Sequence, residues 1–254
     1  MRSTQRVSKP SGYRPLLNID QNAKTVKGQA KGYMTAVLYL APADLSGVMN
    51  TCTFAGYCKA FCLNLAGRGA FTKTQIVRIA KTVFLHENRA LFLECLRYDV
   101  EKLIRKAERK GLIPCLRVNG TSDMAWLGML MASEFPGLQC YDYTKLPKPE
   151  LRVRGNYHLT FSYDGNAANV AECERVLSIG MNVSMVFDAP KGKALPTNWQ
   201  GYRVVDGDES DLRFLDDKGV VVGLRAKGPA KKACTPFVVA AASAPLVQIL
   251  PMAA

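Results

Sequence analysis

Seven short apolar, β-rich runs recur along this chain, at 33–42, 112–120, 138–145, 156–165, 181–188, 201–208 and 219–228. Between several of them the spacing of apolar residues turns helical. Residues 72–110 carry apolar side chains three and four apart, with charges between, and Gly111 stands where a helix would stop. That segment is long enough for two helices. SDMAWLGMLMASEF (122–135) and NAANVAECERVLSIG (166–180) read as further helices. Strands separated by helices demand a parallel sheet with right-handed crossovers. At 254 residues, this predicts an α/β fold, a parallel β/α barrel or partial barrel of the TIM type. No internal repeat of fixed period is present, which argues against a solenoid. Residues 1–30 are basic, polar and poor in periodicity. The expected organisation is therefore an N-terminal basic arm over 1–30 and a single α/β domain over 31–254.

Polar residues recur at every second position near the ends of several strand candidates. Arg117 and Asn119 share a face on 112–120, Ser162 and Asp164 on 156–165, and Arg225 and Lys227 on 219–228. In a parallel barrel the C-terminal ends of the strands form the mouth where chemistry is placed. RVNGTSD (117–123) leaves a strand through Asn-Gly and offers Thr, Ser and Asp to a helix start. Such residues serve turns and helix caps, and Arg117 and Asp123 exceed what capping requires. Arg117, Asn119, Asp123, Ser162, Arg225 and Lys227 are the candidate cofactor- or substrate-binding residues.

The run CTFAGYCKAFC holds Cys52, Cys58 and Cys62 within eleven positions, in the segment that follows the first strand candidate. Three thiolates from one loop are a usual protein contribution to a cubane iron–sulfur cluster that leaves one iron open. Zinc is the rival, but a closed zinc site needs four ligands, and the chain has only His86 and His158 to add. The third reading is plain burial, since free cysteine packs as a small apolar group. Burial is expected for Cys95, Cys115, Cys140 and Cys173. Cys234, in the tail AKKACTPF, is the candidate fourth ligand.

Eight cysteines would suit a disulfide framework in a short secreted chain, but the first twenty residues contain no apolar signal core. No apolar run is long enough to span a bilayer. A cytosolic protein with reduced thiols is the expectation, and it favours metal or cluster ligation over disulfides. Lys and Arg outnumber Asp and Glu by 34 to 21, a formal net charge of +13. That excess points to an anionic partner, DNA or RNA first. A phosphate-binding Walker loop, a dinucleotide fingerprint after a strand, a Gly-x-Ser-x-Gly elbow and a His-Glu-x-x-His pair are all missing. NTPase, dehydrogenase, esterase and zinc-protease chemistry lose support accordingly.

NAKTVKG (22–28), the cysteine loop running into CLNLAGRG (62–69), RVNGTSD (117–123) and VVGLRAKG (221–228) together resemble the bacteriophage gene product eighty-eight-like family, over roughly residues 22–239. The resemblance implies a phage protein acting in the host bacterial cytoplasm, with Cys52, Cys58 and Cys62 on the family's cysteine positions. A cluster in such a protein would come from the host iron–sulfur assembly machinery. The loop is also distantly similar to that of radical S-adenosylmethionine enzymes, whose three cysteines follow the first barrel strand and leave an iron free for S-adenosylmethionine. The spacing here, five then three intervening residues, is wider than that superfamily's, and no Gly-Gly-Glu run follows the second strand. Two functions compete: a [4Fe–4S] protein that binds nucleic acid through its basic surface, and a radical-S-adenosylmethionine-like enzyme. A structural zinc protein is the third.

Overall fold

The computed structural model describes residues 7–241 except 20 and 22. Its centre is a ten-stranded, mostly parallel sheet. The strands are β1 (Leu17–Ile19), β2 (Tyr33–Leu38), β3 (Ile113–Arg117), β4 (Gln139–Thr144), β5 (Tyr157–Ser162), β6 (Val183–Phe187), β7 (Asn198–Trp199), β8 (Tyr202–Asp206), β9 (Val221–Arg225) and β10 (Val238–Val239). The helices are α1 (Ala23–Lys27), α2 (Thr72–Glu87), α3 (Arg89–Arg109), α4 (Ala125–Glu134) and α5 (Ala167–Ser178). All seven strand candidates contain a strand. The 72–110 segment is two helices, because Asn88 leaves helical geometry and caps α3, its side chain accepting from Leu91 N–H at 3.1 Å.

The sheet runs β1-β2-β3-β4-β5-β6-β9-β8-β7. From β2 to β6 each new strand adds in parallel to the same side of the last. This is the part of the pattern that suggests a barrel. The described strands do not close into one, so that expectation is corrected to an open sheet. The reason lies at both edges. The short antiparallel β1 occupies the edge of β2 that a closing strand would need. At the other side β9 inserts between β6 and β8, and the two-residue β7 turns back antiparallel on β8. β10 then adds in parallel to Val186 and Phe187, on the edge of β6 that β5 leaves free beyond Ser162. β1 lies within the stretch read as an arm, and Leu16 just before it is 1% exposed.

Strand alternation sorts the residues. Met34, Ala36 and Leu38 of β2, Leu116 of β3, and Leu159 of β5 pack with residues of α3 and α4 in the larger core. Phe161, Val183, Met185 and Phe187 pack with Cys173, Val176 and Leu177 of α5 in the second. Each fully buried Leu, Val or Phe contributes about 1.5–3 kcal/mol, so this face is the main source of stability. The opposite face carries Cys115, Tyr141 and Tyr33, covered by Leu212 and Phe214 from the loop after β8. Arg213 of the same loop is 1% exposed and meets Asp216 at 3.2 Å. The loop closes the lower half of this face and leaves the C-terminal half open. Among the described residues no helix is long and apolar enough to cross a membrane.

Candidate functional site

The open half is a cleft of about 1220 Å³ at the C-terminal ends of the parallel strands. Its floor includes Val37, Arg117, Ser162, Ser184 and Val186. One wall is the chain between β2 and α2, which contains all three close cysteines; another is the N-terminal half of α2; a third is the tail that follows β9. Cys52, Cys58, Cys62, Arg117, Asn119, Asp123, Ser162, Arg225 and Lys227 all line this one cleft.

The cysteine segment is held by its backbone. The Thr51 hydroxyl donates to Ala41 C=O at 2.6 Å, and Asp123 N–H donates to Thr51 C=O at 2.8 Å. Those bonds tie the segment to the ends of β2 and β3. Tight turns follow at Gly56–Lys59, Leu63–Leu65 and Gly67–Ala70. Gly56 has φ +49° and packs so closely on Asp164 that a Cβ there would lie 2.2 Å from the carboxylate. Only glycine lets this turn approach β5. The sulfur of Cys62 accepts from Asn64 N–H at 3.4 Å.

Burial pushes the Cys52 thiol up, and pushes Cys62 up to about 11, with the charges of the other cysteines adding to the rise. Among the described residues no three His, Cys, Asp or Glu side chains close on one point as a preformed metal site. The donor chemistry nevertheless fits an iron–sulfur cluster: three sulfurs line the cleft and no histidine does. His86 is exposed on α2, and His158 lies on β5 outside the cleft wall. Cys95, Cys115, Cys140 and Cys173 are buried in the core as expected. The tail after β9 does return to the loop, where Phe237 stacks on Phe61 at 5.5 Å. Cys234 itself is exposed and lies outside the cleft wall.

The polar candidates differ in how much of their bonding is already used. Arg117 pairs with Asp211 at 2.7 Å and lies over the Tyr143 ring at 5.0 Å. Arg225 and Lys227 are bound to Asp206 at 2.8 Å and Asp208 at 2.6 Å. Ser162 shares a 3.0 Å hydrogen bond with Ser184. Asn119 is spent on the scaffold: its amide donates to Asp142 at 3.0 Å, and its carbonyl accepts from Ser122 and Met124. Asp123 accepts from Lys145 N–H at 2.7 Å, and its other oxygen is buried without a partner. Burial raises its pKa. Asp164, buried below Gly56, accepts from Asn166 N–H at 2.9 Å.

Three cleft residues escaped the sequence reading. Lys145 follows β4 and touches the Cys58 sulfur. Burial pulls its pKa down, but Cys58, Asp123 and Asp164 outweigh that and hold the ammonium above its usual range. The signal was the period of two through Tyr141, Tyr143 and Lys145. Arg78 and Lys81 enter from α2. Arg78 donates to Asn64 Oδ1 and lies over the Tyr39 ring at 4.9 Å. Lys81 donates to Leu16 C=O at 2.6 Å, and burial lowers its pKa to about 8. Their spacing of three on a helix looks, in sequence, like any solvated face.

Among the described residues, nine basic side chains line the cleft against the three carboxylates of Asp44, Asp123 and Asp211. An anionic occupant is favoured by that balance. No curated protein and no solved structure matches the chain. The family model described as gene product 88 matches residues 16–240, which takes in every strand and helix above. The chain belongs to the gene product 88 family of phage proteins.

Proposed function

We propose that the protein binds a [4Fe–4S] cluster through Cys52, Cys58 and Cys62, with one iron left to a ligand in the cleft. The observation that carries this is the placement of three cysteines, and no histidine, on one wall of the cleft at the C-terminal ends of the strands. Lys145 puts a cation beside the Cys58 sulfur, and the Asn64 N–H donates to the Cys62 sulfur at 3.4 Å, so both sulfurs already face groups that complement a ligand's negative charge. When bound, such a cluster supplies an open iron for Lewis-acid or one-electron chemistry. Of the protein's own residues, the unpartnered oxygen of Asp123 is the group left free to position the ligand, beside a floor formed by Arg117 and Ser162. S-adenosylmethionine is one candidate ligand, supported by a cysteine loop that follows the first parallel strand. The host bacterial cytoplasm is the setting in this reading, where thiols stay reduced and assembly machinery supplies clusters.

Anaerobic reconstitution tests it. About four irons and four acid-labile sulfides per chain are expected, with a loss in Cys58→Ser. A chain that takes up no iron, or a Cys58→Ser variant that takes up as much, overturns the reading. Uptake of one zinc without sulfide would assign the structural zinc site instead. In iron-loaded, reduced protein, failure to cleave S-adenosylmethionine would remove that ligand only.

Nucleic acid is the second reading, favoured by the rim. Phe54 is exposed at the cleft with Lys59, Arg68 and Lys73, and Tyr57 and Phe71, next to Cys58 and α2 in sequence, are exposed as well. Aromatic faces interleaved with cations suit single-stranded DNA or RNA. Binding of a fluorescent single-stranded oligonucleotide should weaken steeply with salt and fall in the Arg68→Gln, Lys73→Gln double variant. No binding at low salt overturns it.

A further inference from the structure

Arg78 is 8% exposed and lines the cleft, yet no carboxylate pairs with it among the described residues. Other buried or half-buried arginines are matched: Arg117 meets Asp211 at 2.7 Å, Arg213 meets Asp216 at 3.2 Å, and Arg225 meets Asp206 at 2.8 Å. Arg78 has only neutral company. One guanidinium nitrogen donates to Asn64 Oδ1, the Tyr39 ring lies against the plane, and Nε is buried without a partner. The edge left unspent, Nε with the second terminal nitrogen, is the edge with which arginine grips a carboxylate or phosphate. Lys81 lies three residues further along α2, lines the same cleft and, among the described residues, donates only to the Leu16 carbonyl. Two cations on one helix face, neither in an ion pair with a carboxylate among the described residues, thus border the cavity.

We propose that Arg78 and Lys81 form the receptor for the anionic group, carboxylate or phosphate, of a small ligand bound in the cleft beside the cysteine loop. The site needs no cluster, since it stands on the two cations and the cavity alone. Arg78 also braces Asn64, whose N–H reaches Cys62, so an anion seated here would lie next to that loop. The location also separates it from Arg117, Arg225 and Lys227, whose charges the protein already balances.

The test is calorimetric titration of the full chain, with its iron content measured, against inorganic phosphate and against succinate at constant ionic strength. Saturable binding of at least one is expected. Arg78→Gln and Lys81→Gln should each weaken it about tenfold or more. Arg109→Gln, exposed at the far end of α3, should leave it unchanged. Binding of phosphate alone assigns a phosphate-bearing ligand, and binding of succinate alone a carboxylate. Lys81→Gln decides the matter if Arg78→Gln fails to fold. No saturable binding of either probe, or binding that survives both substitutions, overturns the proposal. A chain that binds the probe yet takes up no iron on anaerobic reconstitution would remove the cluster and keep this site.

Discussion

On β5, Tyr157, Leu159 and Phe161 pack toward the helices, while His158, Thr160 and Ser162 point to the other face. The same backbone thus serves two environments with opposite demands. The helix side is stabilised by area removed from water, and nearly any well-shaped apolar residue can supply it. The cleft side holds charges and hydroxyls that must be satisfied one by one. Its lower half does so with protein partners such as Arg117–Asp211, and its upper half leaves Arg78, Lys81 and one oxygen of Asp123 for something else. That contrast separates scaffold from site: a polar residue with every bond used is structural, even in a cleft.

The contrast breaks first at Asp211. Its carboxylate is the partner of Arg117, whose side chain is 12% exposed. Asp211→Ala strands that guanidinium against Tyr141 and Tyr143 and should cost about 3–5 kcal/mol of unfolding free energy. Denaturant unfolding measures it. An Arg117→Met, Asp211→Leu double variant should recover most of the loss, because the cost is that of an unpaired charge. A double variant as unstable as Asp211→Ala would show instead that the loop after β8 depends on shape at that point.

Next comes the helix face. Leu159→Ala removes a 1%-exposed side chain from the core and should cost about 3 kcal/mol. Ser162→Ala, on the opposite face of the same strand, loses one hydroxyl pair with Ser184 and should cost about 1 kcal/mol or less. Equal losses from the two would mean that the open half of the cleft is packed as tightly as the core.

This asymmetry also explains what could be read from sequence. The strands were legible as short apolar, β-rich runs such as Tyr33–Leu38, and on β5 Leu159 and Phe161 alternate with polar neighbours. Closure was not legible. It depends on the three residues of β1 and the two of β7, too short to carry a period. The cysteines and six polar candidates were found because they follow strands, and the cleft does gather them. Which of the six are already satisfied depends on Asp206, Asp208, Asp211 and Asp142, all distant in sequence from the residues they bind. Arg78 and Lys81 were missed because a cation on a helix declares its importance only when no carboxylate arrives.

A smaller effect should appear with pH. Burial, with Arg213 nearby, presses the pKa of His158 down to about 4 from 6.5. The fold therefore favours neutral imidazole. Its contribution is complete above pH 6.5 and is lost as pH falls through 4, a span of about 2 kcal/mol after allowance for partial exposure. His158→Gln should flatten that part of the stability curve relative to the parent. Parallel curves would place His158 in water rather than beneath the loop after β8.

The smallest effect sets the scale for the largest. Arg203 and Asp217 also form an ion pair, but their side chains are 58% and 74% exposed. Water already solvates both charges, and ordering two mobile side chains offsets most of their attraction. Arg203→Ala should change stability by about 0.5 kcal/mol or less, and the change should shrink further in added salt. Asp211→Ala should keep its full cost in the same salt, because ions cannot screen a pair held under a loop. If the two variants respond alike to salt, Arg117 is reached by solvent, and the lower half of the cleft face is as open as the upper.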